Sequence, residues 1–93
     1  MIDYIITRDD MYVGAKLICI RSSTGWYTAN EIYTVTRNDR ESTKWPYEIT
    51  SDNGYDIYNL AEIQLDMLQL YPYDKLSDQE LFLFHLSGRL PWT

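Results

Sequence analysis

The chain has 93 residues, 45% of them apolar, which is enough for one compact core and too little for two. Its net charge of −6 is unevenly spread: residues 1–47 hold six acids and six bases, whereas residues 48–93 hold eight acids against Lys75 and Arg89. A field of that sign steers a small domain toward basic surfaces and away from phosphate backbones, which disfavours direct nucleic-acid binding and favours a protein partner.

Met1 to Asp10 offers Ile2, Ile5 and Ile6 but also Asp3, Asp9 and Asp10, with no basic leader and no apolar run of signal length. Nowhere does an apolar stretch approach the roughly 18 residues of a membrane span. The expectation is a soluble, cytoplasmic chain with no membrane partner. A single Cys19 excludes an internal disulfide and fits a reducing compartment, where a free Cys in an apolar run packs as a small hydrophobe.

Lys16 to Ile20 follows Val13-Gly14 and stops at the turn formers Arg21 to Gly25, which defines a first strand. Ile32, Thr34 and Thr36 alternate with Tyr33, Val35 and Arg37, so a second strand presents different residues to its two faces. Polar Asn38 to Lys44 links it to a restart at Trp45, where Pro46, lacking an N–H, fits only a strand start or edge. Tyr47 to Asp52, Asn53-Gly54 and Tyr55 to Leu60 spell a hairpin, since Asn-Gly tolerates the positive φ angles of a type I′ turn. A two-residue loop sets Ile49 opposite Tyr58 and Tyr47 opposite Leu60 on one buried face, with Glu48, Thr50 and Asp52 on an acidic outer face. A four-residue loop from Ser51 to Gly54, with Gly54 left-handed, is the alternative and shifts those partners.

Leu60 to Leu70 fits a short helix through Leu60, Ile63, Met67 and Leu70, and equally a last strand through Ile63-Gln64-Leu65. Tyr71-Pro72-Tyr73 ends either one. Ser77-Asp78-Gln79-Glu80 is a capping box flanked by the staple pair Leu76 and Leu81; it opens a helix near residues 78–87, which Gly88 closes and Pro91 follows. The helix interior, Leu81 to Leu86, is apolar nearly all round and asks to be buried on more than one side. The strands cover one side, leaving Phe82, Leu83 and Leu86 as an interface for a second copy or a partner.

Taken together, Tyr12 to Ile20, Thr28 to Val35 and Tyr47 to Gly54 resemble the small SH3-like barrels of bacteriophage and bacterial proteins of unassigned function. In that family the first strand follows a Gly, a second segment ends in Gly-x-x-Tyr-x-Val, and a hairpin carries an Asn-Gly or Asp-Gly turn. Gly14, Asn30 to Val35 and Asn53-Gly54 answer to these, with Asn30 standing where the family has Gly. The resemblance covers residues 11–63. It implies a five-stranded antiparallel SH3-like barrel at 11–63, and so an α+β, mainly β fold within the single domain over residues 1–93; the C-terminal extension at 64–93, bearing the capped helix, departs from the family. It also implies a phage-encoded protein acting in the cytoplasm of a host.

Catalytic chemistry is sparse. His85 is the only histidine, so Cys19 and His85 make the sole nucleophile and base pair, and a lone His among Leu and Phe more often sits at an edge with one nitrogen wet. Asp52 to Asp56 has some calcium-loop character, but Ile63 stands where the closing Glu would be. Glycines at positions 14, 25, 54 and 88 stand singly and cradle no phosphate. A basic and aromatic face of Arg21, Arg37, Arg40 and Lys44 with Trp26, Tyr27 and Trp45 is offset by six acids in the same half.

The expectation is therefore no enzyme, no metal and no cofactor. The residues suggest a protein-binding module, an inhibitor or modulator of a host protein. Trp45, Tyr47, Tyr55 and Tyr58 would be its contacts, and Glu48, Asp52 and Asp56 its steering acids. Two alternatives stand beside it. One is an acidic DNA mimic blocking a DNA-binding host defence enzyme, with Glu48, Asp52, Asp56, Glu62, Asp66, Asp74, Asp78 and Glu80 imitating phosphates. The other is a homo-oligomeric assembly protein, a homodimer through Phe82, Leu83 and Leu86.

Overall fold

The computed structural model describes residues 6–39, 41, 44–54, 57–60 and 68–89. Five strands form within them: β1 (Lys16–Ser22), β2 (Ile32–Asn38), β3 (Tyr47–Ile49), β4 (Ile57–Tyr58) and β5 (Leu68–Pro72). All neighbours pair antiparallel in the order β4-β3-β2-β1-β5. The result is mainly β, a curled half-barrel with one C-terminal helix, α1 (Asp78–Ser87).

Two irregularities bend the sheet. Between β1 and β5 the register slips from Cys19 opposite Leu70 to Arg21 opposite Gln69, and between β2 and β3 from Val35 opposite Ile49 to Arg37 opposite Glu48. An extra residue on one strand kinks it and raises its twist, which curls the ribbon around its concave side. Leu17, Cys19, Tyr33, Val35, Tyr47, Ile49, Leu68 and Leu70 fill that side, joined by Ile6, Met11 and Ala15 from the approach to β1. Asn30 begins the run into β2 in the left-handed region at φ 71°, the conformation a Gly would adopt there, and its amide donates to the Cys19 carbonyl at 2.7 Å.

The hairpin takes the four-residue form. Tyr47 lies opposite Tyr58 and Glu48 opposite Ile57, Gly54 has φ 77°, and its amide donates to the Ser51 carbonyl at 3.1 Å. The two-residue register, with Ile49 opposite Tyr58 and Tyr47 opposite Leu60, is not adopted. Its physical obstacle is Asp52, whose amide and carboxylate are both engaged by the loop before β2 and so do not extend β3.

A strand at Leu68–Pro72 ends at the predicted Tyr71-Pro72 boundary, with Pro72 as its last residue opposite Leu17. Of the helix expected through Leu60, Ile63, Met67 and Leu70, the end is not adopted, since Leu68 to Leu70 are strand and pair with β1; residues 61–67, with the alternative strand at Ile63-Gln64-Leu65, lie outside the described residues. After a 3-10 turn at Tyr73–Lys75, Ser77 and Glu80 close the capping box: the Glu80 amide donates to Ser77 Oγ at 3.2 Å and the Ser77 amide to Glu80 Oε1 at 2.9 Å. Gly88, at φ 74°, ends α1 and donates its amide to the Phe84 carbonyl. Phe84, Leu81 and Leu76 pack on Ile18, Ile20, Tyr71 and Tyr73, on the convex side of β1 and β5. β1 is therefore covered on both faces, with Leu17 and Cys19 inward and Ile18 and Ile20 under the helix. No helix among the described residues is long and apolar enough to cross a membrane.

Candidate functional site

Register places Arg37, Glu48 and Ile57 in one row across β2, β3 and β4, on the outer side of the hairpin. Arg37 holds the row together: its Nε lies 3.4 Å from Glu48 Oε2, its Nη1 4.0 Å from Asp39 Oδ2, and its Nη2 donates to the Trp45 carbonyl at 2.8 Å. Beside this clamp the Trp45 side chain is 43% exposed and Ile57 41%. Of the predicted contacts, Trp45 and Glu48 are thus brought together. Arg37, which the sequence grouped with Trp45 only as a basic face, and Ile57 complete the patch: the slip at Thr36 sets Arg37 opposite Glu48, and the four-residue hairpin loop sets Ile57 there.

Of the other predicted contacts, Tyr47, Tyr58 and Asp52 go elsewhere. Tyr47 is fully buried and Tyr58 is 8% exposed, so both rings fill the core. Tyr55 and Asp56 lie outside the described residues. Asp52 sits at the hairpin turn and binds β2 and the loop before it: its Oδ1 accepts from the Tyr33 hydroxyl at 2.8 Å, its Oδ2 from the Thr28 hydroxyl at 2.7 Å, and its amide donates to the Trp26 carbonyl at 2.9 Å. The Tyr33 hydroxyl in turn accepts from the Thr28 amide at 2.7 Å. Burial, together with the hydrogen bond to Asp52, raises the Tyr33 pKa above its ordinary value. Under this hub the Tyr27 ring meets Tyr33 edge to face, with centroids 4.6 Å apart, while Trp26 stays about half exposed.

Cys19 and His85 do not meet. Cys19 is fully buried inside the curl, where desolvation, with a contribution from the Asp52 charge, pushes its pKa up to about 12. A thiol so protonated is a poor nucleophile. His85 is exposed on α1, on the opposite side of the sheet, with Nε2 3.2 Å from the Tyr73 hydroxyl. Among the described residues no three His, Cys, Asp or Glu side chains gather as a metal site.

On α1, Phe82 and Leu86 are exposed, Leu83 is intermediate and Phe84 is buried, so the helix hides one side and leaves the predicted interface residues at or near the surface. Several acids of the second half have local partners. Asp74 accepts from the Tyr12 hydroxyl, a bond that raises the Tyr12 pKa, and Glu80 caps α1. Lys75 Nζ lies 3.8 Å from the buried Asp10, which accepts from the Thr7 amide at 2.9 Å.

The architecture and these surfaces define a small mainly β domain with exposed aromatic and apolar side chains on its hairpin and its terminal helix. In comparison with known proteins, the chain matches no protein family, no curated protein and no solved structure.

Proposed function

We propose that this chain is a non-catalytic protein-binding module with an SH3-like barrel plan, phage-encoded and acting in the host cytoplasm as an inhibitor or modulator of a host protein. The observation that carries the reading is the outer hairpin patch: an exposed Trp45 and Ile57 lie beside an Arg37–Glu48 ion pair whose two residues the strand register sets opposite each other. Partner surfaces concentrate such Trp and Arg side chains. The buried, protonated Cys19 on the far side of the sheet from His85 supports the non-catalytic part of the reading.

An acidic DNA mimic has less behind it. Of its eight carboxylates, Glu48, Asp52, Asp74 and Glu80 are held by neighbours and so are not free to imitate phosphates. The test is affinity capture from host cytosol at moderate salt with the natural chain and with Trp45→Ala. One stoichiometric protein, retained by the first and lost by the second, is expected; recovery of background alone from both overturns the proposal.

A further inference from the structure

Phe82 and Leu86 stand one turn apart on α1, 65% and 73% exposed, while Leu81 and Phe84 on the other side seat the helix on the sheet. Both ends of this outer stripe are charged, with opposite signs. Asp78 lies one turn before Phe82, and Arg89 follows just past the Gly88 cap; both are exposed, and neither side chain joins a salt bridge among the described residues. A stripe ordered acid, Phe, Leu, base is complementary to itself only when reversed.

We propose that a second copy of this chain covers the stripe, the two α1 helices packing antiparallel about a two-fold axis level with Phe84. Phe82 of each copy then meets Leu86 of the other, and Asp78 of each meets Arg89 of the other, as an isologous interface requires. With a rise of about 1.5 Å per residue, Asp78 falls about 9 Å from the axis on one side and the Gly88 cap, which Arg89 follows, about 6 Å on the other, so reversal brings Arg89 of one copy to the end that carries Asp78 of its partner. Reversal also sets the two helix dipoles in opposition, whereas a parallel pair would stack Asp78 on Asp78 and Arg89 on Arg89. The net charge of −6 on each copy resists association, so Phe82 and Leu86 supply the affinity and the two ion pairs set the orientation. The pairing makes no use of Trp45, Glu48 or Ile57, and so is separate from the function proposed above.

The test is sedimentation velocity on the full chain from low to high micromolar concentration. A concentration-dependent dimer is expected, and Phe82→Asp should return it to monomer with an unchanged circular dichroism spectrum; Leu86→Ser serves the same end should Phe82→Asp unfold. Asp78→Arg and Arg89→Glu should each weaken the dimer by about fivefold, since each breaks two exposed ion pairs at once, and the double variant should restore it. A monomer at every concentration overturns the proposal, as does a dimer indifferent to Phe82→Asp and Leu86→Ser. A double variant no better than its parents overturns the antiparallel arrangement.

Discussion

Replacing Asp52 with Ala removes two acceptors at once, one for the Tyr33 hydroxyl at 2.8 Å and one for the Thr28 hydroxyl at 2.7 Å. The first bond is partly buried and Tyr33 is only 5% exposed, so losing its charged acceptor costs about 1.5–3 kcal/mol. The second is exposed and water replaces it, which holds its cost to about 0.5–1 kcal/mol. The expected loss is roughly 2–4 kcal/mol, a large share of the total for a domain of this size. Asp52→Asn should cost only about 1 kcal/mol, because its carbonyl oxygen still takes the Tyr33 hydroxyl and its amide can donate to Thr28, whose hydroxyl turns to accept. Urea unfolding followed by circular dichroism measures both, at equal dependence on denaturant. Hydrogen exchange supplies a local readout: the Thr28 amide, which donates to the Tyr33 hydroxyl, should exchange faster in Asp52→Ala. A loss below about 0.5 kcal/mol, or an Asn variant as damaged as the Ala variant, refutes the view that this carboxylate holds the loop to the hairpin.

Phe84→Ala should cost about 3–5 kcal/mol by emptying the seat of α1, whereas Phe82→Ala should stay within about 0.5 kcal/mol at concentrations where the chain is a single copy, both read by urea unfolding. Cys19 is protonated in the folded chain up to about 12 and ionises from 9.0 in the unfolded chain, so its contribution is full below 9.0 and is lost as pH rises toward 12. Tyr33 and Tyr71, also raised, add to the decline above 10.0; urea midpoints taken at stepwise pH should fall from pH 9 onward, and Cys19→Ala should flatten the first part of that fall. Asn30→Gly should be more stable than Asn30→Ala by roughly 1 kcal/mol in the same assay, because only the second forces a Cβ into the left-handed region.

The ends of α1 were legible because they are encoded locally: Ser77, Glu80 and Gly88 each act within one turn of the backbone they cap. β1 was legible as an apolar run between turn formers, although it continues through Arg21 and Ser22 instead of stopping at Ile20, and β2 was legible from the alternation that reports its two faces. The hairpin was legible as an element but only partly in its register. Asn53-Gly54 supports more than one loop, and the choice is made by Asp52 bonding to Thr28 and Tyr33, residues 24 and 19 positions away. The outer patch was half legible for a comparable reason, as a slip at Thr36 decides that Arg37 faces Glu48. Tyr47 and Tyr58 carried two readings: strand alternation set both on the buried face of the hairpin with Ile49, as the structure has them, whereas composition, in which a Tyr carries the same signal for a core and for an interface, offered them as contacts.

That curl also changes what the acidic second half can do. Pairing Glu48 with Arg37, or bonding Asp74 to Tyr12, leaves the net charge of −6 in place but removes those carboxylates from the set that another molecule could grip. Distant attraction depends on the total, whereas close mimicry of a phosphate row depends on spaced, unengaged acids. The two roles part company with salt. A partner held by Trp45 and Ile57 and only steered by charge should associate more slowly as salt rises while dissociating at an almost constant rate, so that log K falls with log salt at a slope near −1 to −2, as an estimate from few released ions. A phosphate-like grip through most of the eight acids would instead give a markedly steeper slope that grows with each ion pair formed, as binding to duplex does. Surface-plasmon kinetics between low and moderate salt, on the partner recovered by capture, separate the two, and the steep slope would refute the assignment of binding to the hairpin patch.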